Sequence, residues 1–272
     1  MIRITKLELY IVFAAFILAL FVIGIFWAFN RGEPVAYTLK QPSATNSTTT
    51  ANMTKAVDSE AVKTDPSVVD QSTVTHQGLA KLIEPKTVKA LVLGDAVAES
   101  RGATNKDESA WYALISKDLR DKYPGNLQWI FKTTTSATIN DVLKYIPEVT
   151  QDTDLVIICL GRNDWRRVKL TEFKQKYEQL LVDLKAKSPL IDIFLVVEPP
   201  VKDVEQNNKF FPYRKIIMDL GQKHDLPVID EWSAYINDPT PLDELLANGV
   251  NPNDKGYRVF ADEVLKEFNK SL

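Results

Sequence analysis

Residues 91–101 read LVLGDAVAESR, and this stretch decides the fold. The apolar run Val88 to Leu93 ends in Gly94-Asp95, and a small residue follows. A helical pattern begins about a turn further on. Open α/β sheets place their sites where a buried strand breaks at glycine and hands over to a helix. The helix N-terminus supplies free N–H groups at that point. A nucleophile would stand at the tip of this turn, directly after Asp95. The residue there is Ala96, which has no heteroatom. The turn provides the position and no reactive atom.

Outward from this turn the chain alternates. Asp107 to Tyr123 reads as a helix, with Trp111, Ile115 and Leu119 on one face. Leu127 to Phe131 is strand-like, and Ile139 to Ile146 is a short helix ended by Pro147. Leu155 to Leu160 is a fully apolar strand. Thr171 to Lys187 is helical, with Phe173, Tyr177, Leu180, Leu181 and Leu184 in register. Ile191 to Val197 is a further apolar strand, stopped by Pro199-Pro200. Phe211 to His224 is helical, Pro227 to Ile229 a short strand, and Asp254 to Phe268 the last helix. Continuous apolar strands alternating with helices imply a parallel sheet covered on both faces.

The first 77 residues are different material. Leu9 to Phe29 is an unbroken apolar run, about 20 residues, the length that crosses a bilayer as a helix. No A-x-A cleavage pattern follows it, so an uncleaved anchor is expected. Arg3 and Lys6 precede the run, which puts residues 1–8 in the cytoplasm and the bulk of the chain outside. Residues 30–77 are Ser/Thr-rich, have few aromatics and show no period, as in a stalk that cannot bury enough surface to order itself. The expected organisation is a single-pass membrane protein with an extracytoplasmic domain over 78–272.

Composition narrows the chemistry. The chain has 272 residues and a net charge of −3, with no global nucleic-acid footprint. Its one cysteine, Cys159, lies inside an apolar run, so no disulfide framework exists and a buried inert thiol is expected. There are two histidines, His76 and His224. No metal or cofactor motif is present.

Polar turns follow the strands: Gly94-Asp95-Ala96, Thr133 to Thr138, Gly161-Arg162-Asn163-Asp164 and Glu198-Pro199-Pro200. In a parallel sheet these converge on one edge. A further turn, Asn248-Gly249-Val250-Asn251-Pro252-Asn253, precedes the last helix. In this order the set resembles the SGNH/GDSL hydrolase family, over roughly Val88 to Phe268. The family's GDS block is matched by Gly94-Asp95-Ala96, its GxND block by Gly161 to Asp164, and its DGVHPN block by Asn248 to Asn253. Its second block, with a glycine in an NxG run, corresponds loosely to TTTSAT, with Thr134 as counterpart. The resemblance implies a three-layer α/β/α sandwich around a five-stranded parallel sheet, flavodoxin-like in architecture. It implies an oxyanion pocket at Asp95, Ala96, Thr134, Gly161 and Asn163.

Activity is another matter. The family's chemistry needs a serine nucleophile, a histidine base and an orienting aspartate. The matching positions hold Ala96, Asn251 and Asn248. Alanine cannot attack, and an amide has no useful pKa for proton transfer. Ser100, four residues after Ala96, faces the same way if the turn is helical, but it would still need a base. Glu99, Asp95 and Asp164 are the acidic neighbours; Asp164 reads as a turn cap and His224 as a surface or capping residue. Arg101, Trp165 and Arg166 are candidates for a binding pocket, because tryptophan stacks on sugar faces and arginine grips anions in a fork; the alternative is Trp165 as a packing residue beside solvated arginines.

Three readings follow. The domain is a non-catalytic glycan- or acyl-binding relative of an envelope esterase, with a cell-envelope polysaccharide as partner. Alternatively it is an esterase or O-acyltransferase using substitute residues. The third reading is a scaffold for another membrane protein.

Overall fold

The computed structural model describes residues 77–272. The expected anchor at Leu9 to Phe29 and nearly all of the stalk lie outside the described residues. Among the described residues no helix is long and apolar enough to cross a membrane.

Five strands form one parallel sheet: β1 (Thr87–Gly94), β2 (Asn126–Thr133), β3 (Leu155–Cys159), β4 (Asp192–Val197) and β5 (Val228–Asp230). Their spatial order is β2-β1-β3-β4-β5. The chain therefore moves outward from β1 to β2, then returns to the other side of β1 with β3. That reversal opens a crevice beyond the carboxyl ends of β1 and β3, and this fold class binds ligands in such a crevice.

Four long helices cover the sheet: α1 (Trp111–Arg120), α2 (Leu170–Lys187), α3 (Val204–His224) and α4 (Asp254–Ser271). Side-chain alternation along the strands sorts them into two layers. Ala90, Val92, Ile157, Phe194 and Val196 pack against Trp111 and Ile115 of α1 and Tyr257, Phe260 and Phe268 of α4. Leu91, Leu93, Val156, Ile158, Leu195 and Val197 point the other way, onto Phe173 and Tyr177 of α2 and Phe210 and Ile217 of α3. The central strands β3 and β4 are buried at every position, which is why β3 reads as an unbroken apolar run and β4 as one from Ile193 onward. Strand β2 is an edge strand with alternating exposure, and its apolar pattern is weaker to match.

Several boundaries differ from the sequence reading. The helix expected over Asp107 to Tyr123 is two pieces, Lys106–Ser109 and α1, because Ala110 between them is extended. Helix α3 begins seven residues before Phe211, where the Asp203 carboxylate caps the N–H groups of Glu205 and Gln206. It runs through Pro212, an exposed position where the lost backbone bond faces solvent. The short helix at Ile139 stops at Val142 and continues as a tighter 3-10 turn that contains Pro147. Two further short helices, Glu231–Asn237 and Leu242–Leu245, were not expected.

Candidate functional site

The first loop is shaped by Asp95. Its carboxylate accepts the Val97 N–H at 2.8 Å and the Asn163 side-chain N–H at 2.5 Å. These bonds tie the loop after β1 to the loop after β3. Gly94 is required at the handover, since a Cβ there would lie 2.1 Å from the Cys159 carbonyl oxygen. Ala96 contributes its carbonyl, which accepts the Arg101 N–H at 2.8 Å, and turns its methyl group to the floor of a cleft.

The substitute residues are placed elsewhere. Ser100 sits in the left-handed region with φ 58°, so the turn is not a continuing helix. Its side chain is fully buried and its hydroxyl oxygen accepts the Trp111 N–H at 3.3 Å, so it does not face the cleft. Glu99 accepts the Thr133 hydroxyl. His224 lies at the end of α3, 3.2 Å from Glu178, in a hollow with Leu181, Lys185 and Ile193. His76 is outside the described residues. Asp164 caps a turn as expected, its carboxylate accepting the Ile139 N–H at 2.9 Å. Burial pushes its carboxyl up to about 7.

The last loop closes on itself. The Asn248 side-chain oxygen accepts the N–H groups of Val250 and Asn251, at 3.1 and 2.8 Å. That carbonyl is committed to the loop backbone, as expected of an Asx turn. Asn251 lines the same cleft as Ala96. The second block departs from its expected role. The Thr134 N–H donates to the Gly94 carbonyl at 3.1 Å and its hydroxyl meets Tyr145, while Thr135 is the residue that lines the cleft. Trp165 is half-buried against the α2–α3 core, with Arg166 and Lys209 stacked over its ring at 4.7 and 4.9 Å, and it does not line the cleft. Arg101, Arg166 and Asn163 do.

Two residues matter here that the sequence reading did not single out. Glu198, at the end of β4, is fully buried and accepts the Arg162 N–H at 2.8 Å. Arg162 in turn donates from its guanidinium to the Val250 carbonyl at 2.9 Å, and its Nε stands 3.9 Å from the free oxygen of Glu198. The clue in sequence is a glutamate that extends an apolar strand and must be neutralised when buried. Burial, and then the charge of Asp95, push Glu198 up to about 8. Burial also raises Asp95, which has Val97 and Asn163 as donors. Both carboxyls are thus held above the ordinary carboxylate range, chiefly by burial, and Glu198 favours its protonated form at neutral pH.

This has a measurable sign. Glu198 and Asp164 are raised in the folded chain, so the folded state holds protons that the unfolded chain releases. Their contribution is full below the ordinary carboxylate values and is lost as pH rises toward 8. Stability is expected to fall from about pH 5 to pH 8, by at most about 1.4 kcal/mol per pH unit for each group. Glu198→Gln keeps a donor toward Asp95 and an acceptor for Arg162 without titrating. It should flatten that slope in thermal melts; a variant with the wild-type slope would show that the proton is not held at Glu198.

The cleft enclosed by these loops has a volume of about 240 Å³. A larger groove of about 600 Å³, beside β5 and α4, shares no lining residue with it. It carries Asp230, Asp262, Glu263 and Glu267. Among the described residues no cluster of histidine, cysteine or carboxylate side chains is placed to hold a metal ion.

With this geometry in hand, comparison with known proteins is direct. The GDSL-like lipase/acylhydrolase family matches residues 92–259, and the chain belongs to that family. Among solved structures it is similar to a lipase/acylhydrolase from Enterococcus faecalis, at 20% identity and a TM-score of 0.58. That match covers 67% of this chain and 95% of the other. An acetylxylan esterase from Geobacillus stearothermophilus matches at 18% identity and a TM-score of 0.55, covering 66% of this chain and 93% of the other. A catalytic mutant of that esterase with alanine in place of serine matches at 20% identity and a TM-score of 0.57, with the same coverage. These likenesses establish the α/β/α fold. No curated protein matches the chain.

Proposed function

We propose that the domain is a non-catalytic member of its family that recognises a cell-envelope saccharide carrying acyl or acidic groups. One observation carries this reading. The positions of attack and proton transfer, Ala96 and Asn251, both line one formed cleft and supply it a methyl group and an amide. The bonds that shape the cleft, from Asp95 to Val97 and Asn163 and from Asn248 to its loop, are in place. Ser100 and His224, the residues that would have to substitute, are turned away. The likeness to acetylxylan esterases supports carbohydrate as the ligand class. In this reading Leu9 to Phe29 tethers the domain outside the cell membrane.

Both parts are tested on intact cells carrying the full chain. Added protease is expected to cut between residues 33 and 77 and release the domain. The released domain should stay unlabelled by a fluorophosphonate that labels active serine esterases. Labelling would sink the non-catalytic reading, and protection of the domain until the cells are lysed would sink the tether.

A further inference from the structure

The charge of the cleft goes beyond what recognition of a neutral acyl sugar requires. Three of its lining residues are arginines, Arg101, Arg162 and Arg166, and Asp95 is the one carboxylate that lines it. Asp95 balances Arg162 across the floor. Arg101 and Arg166 have no carboxylate partner among the described residues. The rim therefore carries two positive charges in excess.

The side chains of Arg162 and Arg166 are also held in place, and the backbone of Arg101 is fixed. Arg166 donates to the Gln206 side-chain oxygen at 2.8 Å and lies on the Trp165 ring. Arg101 is anchored through its backbone, with its N–H on Ala96 and its carbonyl accepting the Tyr257 hydroxyl at 2.8 Å. Arg162 is fixed between Glu198 and Val250. Less ordering is then needed when a ligand arrives, which favours affinity. A guanidinium offers paired N–H donors that match the oxygens of carboxylate, phosphate or sulfate. The cleft is smaller than the roughly 300–1,000 Å³ typical of drug-sized ligands, so it suits one terminal unit of a ligand.

We infer that the cleft selects a saccharide unit bearing an oxyanion, bound by Arg101, Arg162 and Arg166 above Ala96. This rests on the non-catalytic binding reading and narrows its ligand to an acidic one.

The test is calorimetric titration of the full chain with four probes: glucuronate, glucose 6-phosphate, glucose 6-sulfate and neutral glucose. At least one anionic probe should bind roughly tenfold or more tightly than glucose, as charge-assisted hydrogen bonds predict, and the tightest names the anion. Added salt should weaken that binding. The Arg101→Gln/Arg166→Gln double variant alters exposed positions and should fold as the wild type does, yet lose the preference. Arg162→Lys, paired with a thermal melt to verify folding, should weaken it as well. Equal binding of all four probes, no binding of any anionic probe at millimolar concentration, or a double variant with intact preference would overturn the inference. Hydrolysis of an acetylated sugar in the same samples would instead overturn the non-catalytic reading and leave the charge preference standing.

Discussion

The triple variant Ala96→Ser, Asn248→Asp, Asn251→His is expected to hydrolyse p-nitrophenyl acetate roughly 10³-fold faster than the wild-type chain. Each single variant should stay at background, because nucleophile, base and orienting group act as a unit. Serine alone has no base, and histidine alone has nothing to activate. The magnitude follows from two opposing factors. A complete triad is worth about 10⁶ in turnover. A missing oxyanion donor costs about 10² to 10³. Here the second-block N–H, that of Thr134, is bonded to the Gly94 carbonyl rather than free for an oxyanion. Asn163 remains in the cleft. The last loop should survive its change, since an aspartate at 248 can accept the same two N–H groups that Asn248 does. Steady-state turnover decides the matter. Comparable activity in the wild type, or a folded triple variant no faster than any single one, would refute the account.

Ile157→Asp should leave the domain without a cooperative thermal transition. Ile157 lies at the middle of β3, in register with Val92 of β1 and Phe194 of β4, and is fully buried. An unpaired carboxylate there costs several kcal/mol, against a whole-domain stability of about 5–15 kcal/mol. Ile157→Val should cost only about 1 kcal/mol and provides the control. A soluble Asp variant with a sharp melt would contradict the central placement of β3.

The sheet was legible because a strand covered on both faces is apolar except where a buried polar group has a partner; β3 is apolar throughout and β4 from Ile193 on, while Asp192 at its start accepts the Leu79 N–H. Boundaries were less so. The start of α3 is polar, VEQNN, and its apolar face begins only at Phe210. Glu231–Asn237 opens on a buried glutamate, which no apolar period reveals. The three family blocks could be read because each is local and their order fixes the strand ends. The pairing of Arg162 with Glu198 could not, since 36 residues separate them and only the sheet brings them together. Ser100 would face the cleft only if the turn were helical, and its left-handed backbone turns it into the core instead. Of the pocket candidates, Trp165 takes the packing role that was the alternative reading, with its ring on the α2–α3 core, while Arg101 and Arg166 line the cleft.

One consequence follows from how the first loop is held. Its shape depends on the Asp95 carboxylate and on backbone groups, and the side chain at 96 makes none of those bonds. The hydrogen bonds of the loop therefore place no demand on that side chain, although its burial limits its size. A lineage carrying this loop can give up its reactive atom, or regain it, without passing through an unstable intermediate. A change at 96 in such a chain leaves the bonds that shape the loop as they are.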